Sequence, residues 1–208
     1  MVDPSQDLEL FAMILAGGAS SRLHASSPKS TVDKPLLVLD GKRVLTRVIE
    51  AATQAVRPEQ LVVVGPAALP TGNIATVYEE PPQSGPYMAV RAGLQYFSQQ
   101  FGPATQHAGV FILGADMPFI GLGMDQLVAH HCDSQTPKAV MAQAGGRLQP
   151  LLSYIPRGLA DRLFAEPALN AGLMPTLRDT HHHILEVDEM AVADLDTYQD
   201  ALDAGITF

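Results

Sequence analysis

Apolar runs of strand length alternate along this chain with segments whose apolar residues recur every three or four positions. That alternation restricts the fold more than any other feature. Residues 8–16, 61–64, 74–78, 110–113 and 138–142 read as buried strands, several of them rich in β-branched residues. Between them, 44–56, 87–101 and 124–132 carry helical periodicity. Gly or Pro marks most junctions, at Gly17-Gly18, Gly65-Pro66, Pro81-Pro82, Gly85-Pro86 and Gly102-Pro103. Strands that alternate with helices build βαβ units, so the expected fold is a three-layer α/β/α arrangement around a mostly parallel, Rossmann-like sheet. The pattern loosens after Gln143. Gly145-Gly146-Arg147 reads as a tight turn into a strand at 151–155, followed by helical pieces at 159–164, 173–178 and 198–204. With 208 residues and neither a linker nor a repeat, the chain reads as one domain over 1–208 with an ordered core at about 8–204.

Composition narrows the function. The chain is 47% hydrophobic and 17% charged, which excludes a disordered class. Thirteen Lys and Arg stand against 22 Asp and Glu, a formal net charge of −9. Such a chain is expected to bind neither a nucleic-acid polymer nor an anionic membrane surface, since the first depends on many Lys/Arg–phosphate contacts. Cys132 is the only cysteine, so neither an internal disulfide nor a thiolate zinc cluster is expected. The acidic start and the lack of any run near the roughly 20 apolar residues of a membrane span make a soluble cytoplasmic protein the expectation.

The charge is unevenly distributed. Residues 22–47 hold six Lys or Arg (Arg22, Lys29, Lys34, Lys42, Arg43, Arg47) against Asp33 and Asp40, a local net of +4. Residues 179–208 hold eight acids and no Lys or Arg, a local net of −8.

In open α/β sheets ligands sit beyond the carboxyl ends of the strands. There the chain places Gly17-Gly18-Ala19-Ser20-Ser21-Arg22, then Glu79-Glu80, then Asp116. Two glycines after a buried strand let bare N–H groups approach phosphate oxygens. The run matches neither G-x-G-x-x-G nor a P-loop, whose glycine is replaced by Pro28 ahead of Lys29-Ser30-Thr31. A basic cluster that starts at such a turn favours a phosphate site over a merely solvated face. Asp116 at a strand end can hold Mg²⁺ together with substrate phosphates, or can serve as an ordinary turn or helix cap. Asp194 and Asp196, two positions apart, are candidates for a second ligand of that ion. Asp196 or Thr197 could instead cap the helix that follows. His181-His182-His183 would alternate faces on a strand and cannot all reach one ion. His130 and His131 read as helix surface, Cys132 as core, and the eight methionines as core filling.

Taken in order, several of these motifs resemble the MobA-like nucleotidyltransferase family, whose namesake is the molybdenum cofactor guanylyltransferase. They are Leu15-Ala16-Gly17-Gly18, Ser21-Arg22, Asp33-Lys34-Pro35-Leu36-Leu37, Ser84-Gly85-Pro86, Asp116-Met117-Pro118-Phe119, Gln149-Pro150-Leu151 and Asp194-Leu195-Asp196-Thr197 with Asp200. The resemblance spans about residues 10–202. It implies the fold of nucleotide-diphospho-sugar transferases and a Mg²⁺-dependent transfer of a nucleotide from GTP to a molybdopterin-type acceptor. Leu15, Ala16, Gly17, Gly18 and Gly85 would contact the nucleotide, and Lys34 and Arg22 would neutralise its phosphates. Glu80, or its neighbour Glu79, would accept from the base. Asp116 would bind Mg²⁺, with Asp194 or Asp196 as the second ligand. Molybdenum cofactor-pathway proteins are the implied partners, and a monomer or weak homo-oligomer the implied state.

Two departures loosen the finer reading. Asp194-x-Asp196-Thr197 stands where guanylyltransferases commonly have Asn-x-Asn-Thr, and Leu23-His24 with an insertion around Lys29 replaces the usual glycine. A cytidylyl or other nucleotidyl transfer to another phosphorylated acceptor is the first alternative. A non-catalytic nucleotide-binding protein is the second.

Overall fold

The computed structural model describes residues 9–18, 20–26, 33–132, 138–178, 180 and 182–206, with His131 and Cys132 described as backbone only. Among the described residues nine strands occur in chain order: β1 (Leu10–Leu15), β2 (Val38–Leu39), β3 (Lys42–Arg43), β4 (Leu61–Val64), β5 (Ala75–Val77), β6 (Gly109–Gly114), β7 (Ala139–Ala144), β8 (Arg147–Pro156) and β9 (His182–Glu186). The helices are α1 (Ser21–Ser26), α2 (Val44–Thr53), α3 (Pro86–Phe101), α4 (Gly121–Cys132), α5 (Arg157–Leu163), α6 (Leu173–Arg178) and α7 (Tyr198–Asp203). Seven strands form one sheet in the order β5-β4-β1-β6-β8-β7-β9, while β2 and β3 make a separate small ribbon. All neighbouring pairs in the large sheet are parallel except those of β8, which runs against both β6 and β7. A mostly parallel α/β sheet is therefore present.

The reversal at β8 has a local cause. Ala144 pairs with Arg147 across Gly145 and Gly146, which sit at φ 54° and 74°. Two consecutive positive φ values are what a two-residue hairpin turn needs to match strand twist, and glycine supplies them without strain.

Alternate residues of each strand feed two cores. Ala12, Ile14, Leu61, Val63, Phe111 and Leu113 pack with Leu45 and Val48 of α2 and Met124 and Leu127 of α4. Phe11, Met13, Val62, Val64, Val110 and Ile112 pack on the other face with α3, α5 and α6. Each fully buried Val, Leu or Ile contributes about 1.5–3 kcal/mol, so a sheet apolar on both faces is stable only when sandwiched. A third, smaller core joins Leu23 of α1 and Leu37, Leu39 and Val44 to Leu195, Ala201 and Ile206. That core ties the basic segment to the acidic C-terminal one. Among the described residues no helix is long and apolar enough to cross a membrane.

Several bounds move. Strand 8–16 is described as Leu10–Leu15, 74–78 as Ala75–Val77, and 138–142 extends to Ala144. The hairpin's second strand starts at Arg147 rather than residue 151, and α2 stops at Thr53 rather than 56. Strand β9, helix α1 and the β2–β3 ribbon were not expected.

Candidate active site

Strand β1 lies between β4 and β6, so chain order reverses direction there and opens a crevice beyond the carboxyl ends of β1 and β6. Leu15 ends β1 and leads into Gly17-Gly18, and Gly114 ends β6 and leads into Asp116. A cavity of about 350 Å³ fills this crevice. Leu15, Ala16, Gly17, Gly18, Lys34, Gly85 and Asp116 all line it, together with Ser20, Glu79 and Gln83.

The 3₁₀ turn Lys34–Leu36, started by Pro35, carries the central cation. The Lys34 backbone N–H donates to Ser20 Oγ at 3.1 Å. Ser20 is buried and sits at φ 50°, a left-handed conformation that costs a non-glycine residue stability and is kept where the surroundings enforce it. Lys34 Nζ donates to Asp116 Oδ2 at 3.2 Å and to Asp196 Oδ1. Arg22 Nη1 donates to the other oxygen of Asp196, but its side chain is 75% exposed, so that pair adds little stability. Burial opposes the charge on Lys34, yet Asp196 and Asp116 outweigh it and hold the ammonium above its ordinary range.

The carboxylates respond in opposite directions. Burial pushes Asp196 up, but Lys34 and Arg22 more than compensate, and its carboxyl lies below the usual range. Burial pushes Asp194 up as well, and repulsion from Asp196 and Asp116 adds to it. Three acids thus gather around the half-buried Lys34 ammonium and the exposed Arg22, which leaves a local excess of negative charge beside the cavity. The Leu195 N–H bonded to the Asp116 carbonyl at 3.2 Å holds the two acidic segments together.

Thr197, not Asp196, caps the last helix. Its hydroxyl accepts from the Asp200 N–H at 3.2 Å, and the Asp200 carboxylate accepts from the Thr197 N–H at 2.7 Å. Asp196 is thereby left to face Lys34.

Glu79 is the second feature of the cavity. It is 3% exposed, and its Oε2 is buried without a hydrogen-bond partner. A Cβ placed on Gly17 would come within 3.2 Å of Glu79 Oε1, so a larger residue there would push against this carboxylate. Glu80, expected at this place, is exposed and does not line the cavity. Successive side chains leaving a strand point to opposite sides, and only one of two adjacent glutamates can face Gly17. Neither Arg22, Asp194 nor Asp196 lines the cavity; they stand behind Asp116 and Lys34.

Among the described residues, no group of three or more His, Cys, Asp or Glu is arranged to hold a metal ion. The set Asp116, Asp194 and Asp196 is therefore not assembled as a cage, because the Lys34 ammonium occupies the space between two of its members. The His182 ring is held by the Thr180 carbonyl, and the His183 ring lies 5.7 Å from that of His130. Ala19, Pro28, Lys29, Ser30, Thr31 and His181 lie outside the described residues.

Sequence reasoning missed the part played by Ser20, whose unusual φ leaves no trace in composition. It left Glu79 open. The cue for Glu79 was a pair of acids leaving a short strand opposite a double glycine.

A glycine loop, a lysine and an aspartate thus gather around the switch point of a mostly parallel sheet. The chain belongs to the MobA-like NTP transferase domain family, whose family model matches residues 12–184. A nucleotidyl transferase from Methanothermobacter thermautotrophicus superposes with a TM-score of 0.74 at 16% identity, covering 94% of this chain and 95% of that one. Molybdopterin-guanine dinucleotide biosynthesis protein A from Archaeoglobus fulgidus gives 0.61 at 17% identity, covering 93% and 95%. The 4-diphosphocytidyl-2C-methyl-D-erythritol synthase from Anaerococcus prevotii gives 0.65 at 12% identity, covering 94% of each chain. No curated protein matches the sequence significantly.

Proposed function

We propose that this chain, as one domain, is a Mg²⁺-dependent guanylyltransferase that joins GMP from GTP to a molybdopterin-type acceptor and releases pyrophosphate. The observation that carries the choice of base is the buried, unpartnered Glu79 carboxylate on the cavity wall. Guanine presents two adjacent donors, N1–H and the N2 amino group, and a carboxylate can accept from both. Cytosine offers its exocyclic amine alone. A buried carboxylate left without donors costs stability, and guanine would satisfy it.

An acceptor phosphate oxygen attacks the α-phosphorus of GTP in line, forming a P–O bond as the bond to the β-phosphate oxygen breaks. Both reactants are anions, so the protein must hold them together and offset charge. Lys34, which lines the cavity and donates its backbone N–H to Ser20 Oγ, would do this. Arg22, outside the cavity lining, adds exposed positive charge through its pair with Asp196. The Gly17-Gly18 backbone approaches the nucleotide without side chains in the way.

The oxygen-only donors Asp116 and Asp196, with Asp194 beside them, suit Mg²⁺, which typically takes one or two carboxylates plus substrate phosphates. Their excess of negative charge over the single ammonium supports the fit. Bound there, the ion would supply charge neutralisation at the α-phosphate. The arriving triphosphate would take over from Asp196 as the counter-charge of Lys34.

Thermal shifts measured with GTP, CTP, ATP and UTP in the presence of Mg²⁺ test this reading, since a ligand that binds the folded state raises the melting temperature. GTP is expected to give the largest shift. A larger shift with CTP would move the protein to cytidylyl transfer. Binding without pyrophosphate release on acceptor addition would make it a nucleotide sensor.

A further inference from the structure

We propose that this chain associates with a second copy of itself through the outer edge of β9, the two strands pairing antiparallel about Ile184. Strand β9 ends the sheet, and among the described residues its only ladder is with β7. An edge strand presents unpaired N–H and C=O groups that template another strand, and proteins usually blunt such edges with Lys, Pro or a bulge. This one carries neither Lys nor Pro over His182–Glu186.

The side chains explain the choice of occupant. His183 and Leu185 share one face and are engaged within the chain, His183 beside His130 of α4 and Leu185 against the first core. His182, Ile184 and Glu186 share the other face, where Glu186 Oε1 accepts from Gln143 Nε2 of β7 and Ile184 is 53% exposed despite being β-branched and in a strand. Met190, just beyond the strand, is 54% exposed.

A two-fold axis normal to the sheet keeps each face on its own side, so paired residues must have the same parity. Pairing about Ile184 satisfies this and overlaps all five residues. It sets His182 against Glu186 of the partner subunit, and the same contact recurs by symmetry. Ile184 meets the partner's Ile184, and His183 meets the partner's Leu185. Pairing about His183 would oppose two histidines, and pairing about Leu185 would set Ile184 against a glutamate. An imidazolium opposite a carboxylate is a favourable cross-strand pair, and like charges opposite each other are not. The His182 ring is already oriented by its Nδ1, 2.8 Å from the Thr180 carbonyl. With His182 protonated the strip is thus complementary to itself in charge, which singles out a second copy.

Sedimentation velocity of the full chain over a concentration series tests the proposal. The wild type is expected to move from one chain toward two as concentration rises. Ile184→Lys is expected to remain monomeric at every concentration, with an unchanged circular dichroism spectrum. His182→Glu and Glu186→His are each expected to weaken association, and the double variant His182→Glu/Glu186→His to restore it. A wild type that stays monomeric throughout would overturn the proposal. So would association that survives Ile184→Lys, or single variants that weaken it without rescue by the double swap.

Discussion

Two cations, one half-buried and one fully buried, sit at opposite ends of this sheet, and their surroundings differ in kind. Lys34, at the carboxyl end, holds two carboxylates and opens on a cavity. Arg157, at the amino end of α5, is fully buried, yet among the described residues no carboxylate bonds it. Its Nη2 donates to the Gly102 carbonyl at 2.8 Å and to Ser98 Oγ at 3.1 Å, and the guanidinium lies 4.9 Å from the Phe11 ring centre. Burial lowers its pKa, offset only in part by Asp161 and Glu9 at longer range. One cation is supplied with more negative charge than it needs and faces open space. The other closes the end of α3 and covers an aromatic ring. Burial alone therefore does not mark a functional charge. Surplus counter-charge beside a cavity is the feature on which the proposed role of Lys34 rests.

That contrast predicts separate losses. Removing a group that offsets developing charge typically costs about 10²–10³ in rate, so Lys34→Ala is expected to lose that much turnover while keeping its melting temperature within a few degrees. Arg157→Ala is expected to do the reverse. It strands the Gly102 carbonyl and empties space over Phe11, a loss of about 3 kcal/mol in chemical denaturation, with turnover per folded molecule retained. If both variants lost activity at equal stability, the distinction between the two ends would fail.

Smaller effects refine the picture of the carboxyl end. Glu79→Gln keeps the shape of the cavity wall but removes one acceptor. It is expected to cut the preference for GTP over other nucleotides by roughly tenfold, about 1.4 kcal/mol, read from competitive binding. Thr197→Ala breaks the cap that leaves Asp196 facing Lys34. A loss of about 1 kcal/mol in stability is expected, with a modest fall in turnover.

Much of the fold was legible because a sheet apolar on both faces writes itself as apolar runs. Strand β4 and helix α6 keep the bounds their patterns give, 61–64 and 173–178. Strand β9 did not show, since an edge strand half open to solvent can read His-His-Ile-Leu-Glu and still pair with β7. The site was legible in part. Glycine loop, lysine and aspartate followed from strand ends, and the family resemblance chose Lys34. The choice between Glu79 and Glu80 rests on which side of an extended chain faces Gly17, which adjacent identical residues cannot reveal. The meeting of Lys34 with Asp196 joins positions 162 residues apart. Only the third core, which packs α1 and the 3₁₀ turn region against the C-terminal segment, brings it about.

Pyrophosphate release from GTP and Mg²⁺, with and without a molybdopterin-type acceptor, tests the central claim most directly. Release is expected only with acceptor present, and about 10²–10³ more slowly for Lys34→Ala. Absence of release with any nucleotide and acceptor, or release at the wild-type rate from a folded Lys34→Ala variant, would contradict it.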